Sequence, residues 1–173
     1  MSHFQQTLIL IKPDAVERGL VGKVLTRFED RGLKILGLKM LLVDPKLASD
    51  HYGDFVERYT PKLGLEKATS IKKEMMDFLS SGPIVAAVLE GVEAVSVVRQ
   101  TVGSTYPNEA QPGTIRADLA HVSQAYANES NITIKNLVHA SGNVEEAAVE
   151  VALWFKREEL LDYQLVHERH TRY

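Results

Sequence analysis

Cysteine is absent from this 173-residue chain, which excludes disulfides, thiolate metal sites and any sulfur redox chemistry other than methionine oxidation. An excess of charge is also missing, since 20 basic residues stand against 23 acidic ones for a formal net charge of −3. General attraction to nucleic-acid backbones or anionic membranes is therefore not built in, and phosphate binding, if present, has to be local. Long apolar runs are lacking too. Residues 8–11 form an apolar run that stops at Lys12 and Pro13, too short for a signal peptide and far short of the roughly 20 residues of a membrane span. These absences lead us to expect a soluble, cytoplasmic protein with neither a membrane nor a specific nucleic-acid partner.

Common catalytic motifs are missing as well. The one Gly-Lys pair, Gly22-Lys23, is followed by Val24 and has Glu17 where a phosphate-binding loop needs its first glycine. No H-E-x-x-H, calcium-loop or G-x-S-x-G sequence occurs. Apolar residues make up 45% of the chain, enough for one core, and no linker or repeat divides it, so a single domain over residues 1–173 is expected.

Periodicity supplies the elements. Residues 7–11 read as a buried strand closed by Pro13. Val21, Val24, Leu25 and Phe28 follow helical spacing up to Gly32, and residues 36–42 alternate as a second strand ended by Asp44-Pro45. A helical hairpin over 47–59 and 65–79, broken near Thr60-Pro61, precedes a third strand at 84–89. Ala94, Val97, Val98 and Thr101 mark another helix, and 134–138 a fourth strand. Asn143 caps a last helix, with Glu146 three residues on and Val144, Ala147, Ala148, Val151 and Phe155 on its buried side. This order predicts an α/β (α+β) fold of the ferredoxin-like, split βαβ kind, a four-stranded antiparallel sheet with helices on one face. Residues 105–133 stand apart as a long segment of weak periodicity, the kind that carries function or moves.

Polar residues sit at the ends of these apolar elements: Lys12, Arg99, Thr105, Arg116, Asn136 and His139. If they converge, two guanidinium groups, an ammonium and amide or hydroxyl donors form a phosphate clamp, with imidazole as the one good neutral nucleophile. His51, His121, His167 and His170 share no metal-ligand spacing and read as surface or packing residues.

The string Asn136-Leu137-Val138-His139-Ala140-Ser141, followed by Glu145, Glu146 and Glu150, resembles the signature of nucleoside diphosphate kinases. The resemblance runs through the chain, taking in Lys12-Pro13-Asp14-Ala15-Val16, Arg18-Gly19-Leu20-Val21-Gly22, His51-Tyr52, Ser81-Gly82-Pro83, Pro112-Gly113-Thr114-Ile115-Arg116 and Leu153-Trp154-Phe155. It implies ping-pong transfer of the γ-phosphate of a nucleoside triphosphate such as ATP to a nucleoside diphosphate. His139 would accept the phosphoryl group through Nδ1, with Glu150 and Ser141 near the ring. Lys12, Arg99, Thr105, Arg116 and Asn136 would contact phosphates or sugar, and Tyr52 would hydrogen-bond Lys12 at the phosphate. Mg²⁺ would ride on the nucleotide phosphates, with no protein metal site, and the chain would form a homo-oligomer, a hexamer, tetramer or dimer. Departures from the pattern are Ala140 for glycine, Gly142 for aspartate, and longer segments at 53–80 and 117–135. The usual base-stacking aromatic is displaced, leaving Tyr59 or Phe55 for that role. A regulatory nucleotide sensor, separable by turnover with saturating diphosphate, and a kinase of protein histidines, separable by labelled phosphate moving from His139 to a polypeptide without diphosphate, are the rival readings.

Overall fold

A computed structural model describes residues 3–130 and 132–171. In β1 (Phe4–Ile11) residues 8–11 are completely buried, and because successive strand side chains point to opposite faces, the run feeds two cores. Ile9 and Ile11 enter one, Leu8 and Leu10 the other. A single helical turn, α1 (Pro13–Glu17), starts at the proline, whose missing N–H is harmless there, and α2 (Val21–Glu29) follows. Next come β2 (Lys34–Leu42), α3 (Pro45–His51), α4 (Phe55–Leu63), α5 (Leu65–Leu79), β3 (Pro83–Val92) and α6 (Ala94–Val102). After a 3₁₀ turn at Pro107–Glu109 stand α7 (Ile115–Leu119), α8 (Gln124–Glu129), β4 (Val138–Ala140) and α9 (Val144–Trp154). A 3₁₀ turn at Arg157–Glu159 and α10 (Glu168–Thr171) complete the order.

The strands lie in the order β2-β3-β1-β4, every neighbouring pair antiparallel. Each strand–helix–strand unit therefore skips one position, with β3 between β1 and β2 and with β1 between β3 and β4, which is the split βαβ of the ferredoxin-like fold. The crossover helices α2 and α6 share one face through Val24, Phe28, Val98 and Val102. The other face, expected to carry none, is covered too: Ala48 of α3, Leu79 of α5, and Val151 and Trp154 of α9 pack there. The unbroken apolar run of β1 carries that information, because a strand open to water on one side alternates instead.

Other boundaries move. The fourth strand begins at Val138, where 134–138 was expected, because Leu137 has φ +70° and cannot continue a ladder. His139 is thereby within the strand, opposite Leu10. The helical hairpin is three helices: its breaks fall at residues 52–54 and at Gly64, while Pro61 sits inside α4. Residues 105–133 hold two short helices capped by the Thr114 and Ser123 side chains. On α9 the buried side is Ala147, Glu150, Val151 and Trp154, whereas Val144 and Ala148 are exposed. The periodic apolar count missed a carboxylate on the inner face.

Candidate active site

β4 carries the site, and the backbone before it is strained. Asn136 O accepts from Val138 N–H at 2.8 Å, closing a three-residue turn centred on Leu137, whose left-handed φ costs a residue with a Cβ about 1–2 kcal/mol. Both peptide groups of Leu137 are held: its N–H donates to Asp14 Oδ2 at 3.1 Å and its carbonyl accepts from Lys12 N–H at 2.8 Å. One short segment after β1 thus fixes the direction in which β4 leaves.

His139 projects toward α9. Its Nε2 lies 2.8 Å from Glu150 Oε1, and Ser141 Oγ donates to Glu150 Oε2 at 2.6 Å. Glu150 is buried, seven residues past the Asn143 cap of α9, where the helix lies against β1. An ionised carboxylate has no proton to offer, so the ring nitrogen facing it carries the hydrogen and Nδ1 keeps its lone pair.

His51 stands behind this pair, with its side chain only 1% exposed. Its ring centroid is 4.5 Å from that of His139, at an interplanar angle of 83°. Trp154 Nε1–H donates to His51 Nδ1 at 3.3 Å, and His51 Nε2 is buried without a hydrogen-bond partner. Burial first, then the neighbouring His139 and Lys12, depress its pKa to about 2, so the ring is neutral. Packing describes His51 correctly, but it packs at the centre of the site. His51, His139 and Glu150 offer ligand atoms within 4.8 Å of one another, a set a metal ion could use. Here Glu150 Oε1 and His139 Nε2 engage each other, and His51 Nδ1 accepts the indole proton.

Before the turn, Lys12 Nζ donates to Asn136 Oδ1 at 2.8 Å, and Asn136 Nδ2 donates to the Thr105 carbonyl at 2.9 Å. Desolvation and the nearby Arg116 charge pull Lys12 down to about 8, against the opposing pull of Asp14. Phe78 of α5 lies under the ammonium, its centroid 6.0 Å away, a neighbour that nothing in the sequence flagged. Tyr52 does not bond to Lys12: among the described residues its hydroxyl has no hydrogen bond, and burial followed by the Glu150 charge raises its pKa.

Arg116 is buried and mostly committed to backbone. Nε donates to Asn136 O, Nη1 to Gly103 O and Ser104 O, and Nη2 to Val138 O. Four of the five N–H groups of a guanidinium are therefore occupied, leaving one. Burial first and then Arg99 lower its pKa to about 10. Gly103 takes part because its φ is +88° and a Cβ there would stand 2.5 Å from Thr114 Oγ1. Arg99, at the end of α6, is exposed and has no ion-pair partner among the described residues. Thr105 is exposed beside it in the chain segment that Asn136 holds. Phe55 and Tyr59 stack on each other on α4, centroids 4.6 Å apart.

The segment before Arg116 is latched from outside. Asp118 Oδ1 accepts from Gly113 N–H at 2.9 Å, Asp118 Oδ2 takes Arg27 Nη1 at 2.8 Å, and Arg27 Nη2 donates to the Gly113 carbonyl. Sequence reasoning also passed over Asp14, Trp154 and Arg27 as individual residues. Asp14 follows Lys12-Pro13 directly, a polar group where the chain turns inward, and that is the signal that could have found it.

Comparison with known proteins gives a consistent result. The family model described as "Nucleoside diphosphate kinase" matches residues 5–160. A nucleoside diphosphate kinase of Borreliella burgdorferi is 43% identical over 162 residues, covering 92% of each chain. That of Pyrococcus horikoshii is 42% identical over 163 residues, covering 94% of this chain and 92% of its own. Among solved structures, a transition-state mimic of the Borrelia burgdorferi enzyme with bound vanadate and ADP superposes with TM-score 0.89 at 40% identity, over 97% of this chain and 96% of that one. A halophilic Halobacterium salinarum enzyme in complex with CDP gives TM-score 0.79 at 33% identity, over 98% and 99%.

Proposed function

This chain belongs to the nucleoside diphosphate kinase family and catalyses phosphotransfer between nucleotides, and we propose that the transfer runs through His139. In the first half, Nδ1 attacks the γ-phosphorus of a nucleoside triphosphate such as ATP, an N–P bond forms, and the bond to the bridging oxygen breaks to release the diphosphate. In the second half, the terminal oxygen of a different diphosphate attacks the phosphohistidine and the N–P bond breaks. The Nε2 proton stays in place throughout. The observation that carries this reading is the Glu150 carboxylate on Nε2, which keeps the nucleophilic nitrogen unprotonated and stabilises the positive charge that grows on the ring.

Lys12, Arg99, Thr105, Asn136 and the remaining Arg116 N–H act on the phosphates or sugar, Ser141 holds the second Glu150 oxygen, and Tyr52 supplies a hydroxyl at the edge of the site. Lys12 faces Arg116, the Asn136 amide and one carboxylate, Asp14, which is buried and holds the Leu137 N–H, and Glu150 is engaged, so Mg²⁺ belongs to the substrate, carried on its phosphates. Tyr59, with Phe55 as its stacked support, is the aromatic proposed for the base. The functional unit is residues 1–173 as one domain acting as a homo-oligomer, a hexamer, tetramer or dimer, in the cytoplasm. No helix among the described residues is long and apolar enough to cross a membrane.

The test is direct. Pure protein mixed with labelled ATP and Mg²⁺ acquires an acid-labile, alkali-stable label, and unlabelled diphosphate removes it. His139→Gln remains folded, still binds nucleotide and takes up no label. Turnover of that variant within about tenfold of the parent, a loss of about 1.4 kcal/mol or less, overturns the assignment.

A further inference from the structure

The reaction as drawn uses the ring of His139 and the cations around it, yet a buried carboxylate lies on the other side of the same backbone with no part in it. Asp14 is 5% exposed, sits in the one-turn α1, and has a charge that burial opposes, its pKa being raised despite the neighbouring Lys12 and the backbone N–H groups that favour ionisation. Retaining an acid in such a place costs stability unless its contacts matter. Its contacts are specific. Oδ2 accepts the N–H of Leu137, the residue in the left-handed turn, while Oδ1 is buried without a hydrogen-bond partner.

The consequence follows from connectivity. Leu137 is two residues before His139, and its peptide groups are the last to be fixed before the ladder with β1 begins at Val138 opposite Ile11. Release of the Leu137 N–H lets the turn relax toward the favoured negative-φ region, a preference that then opposes the turn. Such relaxation rotates the Asn136–Leu137 and Leu137–Val138 peptides. Asn136, which holds both Lys12 and the Thr105 carbonyl, moves with them, and Val138, whose carbonyl Arg116 grips, follows. A single carboxylate is thus linked to the nucleophile through one hydrogen bond and two residues of backbone, to the Arg116 anchor through a further hydrogen bond, and to the lysine through two residues of chain.

We propose that Asp14 is a positioning residue for phosphoryl transfer: by holding the Leu137 N–H it keeps the strained turn that aims His139, and its charge balances the cationic cluster of Lys12 and Arg116. This rests on His139 being the nucleophile. The two roles separate by substitution, since Asn keeps an oxygen for the Leu137 N–H and loses the charge, whereas Ala loses both. The groups facing Lys12 are Asp14 from α1, Arg116 from α7, Asn136 before β4, neutral His51 from α3 and the Phe78 ring from α5. Among the charged ones, only Asp14 favours the ammonium form.

The experiment measures the single-turnover rate of protein phosphorylation by ATP, and the ATP Kd, for the parent, Asp14→Ala and Asp14→Asn between pH 6 and 9.5, with circular dichroism to check folding. At pH 6.5, where Lys12 stays charged in all three, the Ala variant is expected to be slower by at least tenfold with ATP Kd within threefold of the parent. The Asn variant is expected to recover to within threefold of the parent rate. At higher pH the ATP affinity of Asp14→Asn should fall away at lower pH than that of the parent. A folded Ala variant within twofold of the parent rate at pH 6.5, or an Asn variant no faster than Ala there, overturns the positioning role. If Ala does not fold, Asn decides: an alkaline limb of ATP binding that stays where the parent has it overturns the charge role. A parent that takes up no phosphate at all refutes the nucleophile assignment, a result distinct from any of these.

Discussion

Glu150→Gln tests the site with the least disturbance of shape. The amide oxygen can accept from His139 Nε2–H, and the amide NH₂ can donate to Ser141 Oγ, so both 2.8 Å and 2.6 Å contacts have a replacement and only the charge is removed. A hydrogen bond to an ionised partner contributes about 1.5–3 kcal/mol, and a neutral one about 0.5–1.5. Because the ring becomes positive as Nδ1 bonds to phosphorus, the difference of about 1–2 kcal/mol is felt in the transition state, a rate loss of about five- to thirtyfold. Glu150→Ala is harsher, leaving the Nε2–H without an acceptor, reducing the buried Ser141 hydroxyl to its long 3.4 Å bond to the Leu8 carbonyl and removing the group that selects the tautomer. Its rate should fall about a hundredfold or more. The assay is rapid-quench phosphorylation by labelled ATP under single-turnover conditions, with the ATP Kd measured separately. A Gln variant phosphorylated within twofold of the parent rate, its Kd unchanged, refutes the idea that the carboxylate supports charge on the ring.

Lys12, lowered to about 8, loses its charge as pH rises through that value instead of near 10.5, so ATP affinity of the free protein should decline from pH 7.5 to 9.5. Titration calorimetry across that range checks it, with Lys12→Gln expected to be flat; an equally flat parent shows that the ammonium does not hold phosphate. His51 is neutral in the fold at about 2 against 6.5 in the unfolded chain, so the stability it contributes is present above pH 6.5 and is lost as pH falls below it. Between pH 6.5 and 5.5 the parent should lose about 1 kcal/mol more than His51→Gln in urea titrations, and parallel losses exclude a buried neutral ring. Arg27→Ala removes an ion pair that is open to solvent and should leave global stability nearly unchanged, yet it should speed proteolysis within residues 104–114 severalfold. An unchanged digestion rate refutes the latch on the Arg116 segment.

The sheet was legible because burial imposes periodicity: the continuous run of β1 and the alternation of β2 can form little else. β4 was misplaced because Leu137 looks like any apolar strand residue, and only the tertiary contacts from Lys12 and Asp14 put it at positive φ. Residues 47–79 were read with one break too few, since Pro61 is tolerated in the short α4 and the actual stops are at residues 52–54 and Gly64. At the site, Glu150 joins His139 and Ser141, and Lys12 meets Asn136 three residues before His139 in the chain. Arg116 is more architectural than its charge suggested, because its fork meets four backbone carbonyls across a span no local pattern encodes. His51 was passed over since a histidine at a helix end carries no sign of what α9 will set against it.

His139 stands opposite Leu10, so about 130 residues of chain separate the two strands whose pairing assembles the site. Closing a loop of that length is entropically slow to be rewarded, and contacts this distant in sequence form late. During synthesis the first strand, Lys12 and Asp14 leave the ribosome long before the segment that bears His139, the proposed nucleophile, and β1 lacks its β4 partner over Ile9–Ile11 until then. An incomplete chain therefore carries Lys12 and Arg116 but holds no aimed imidazole. Reactivity arrives with the final strand, which makes catalytic competence a report on completed folding.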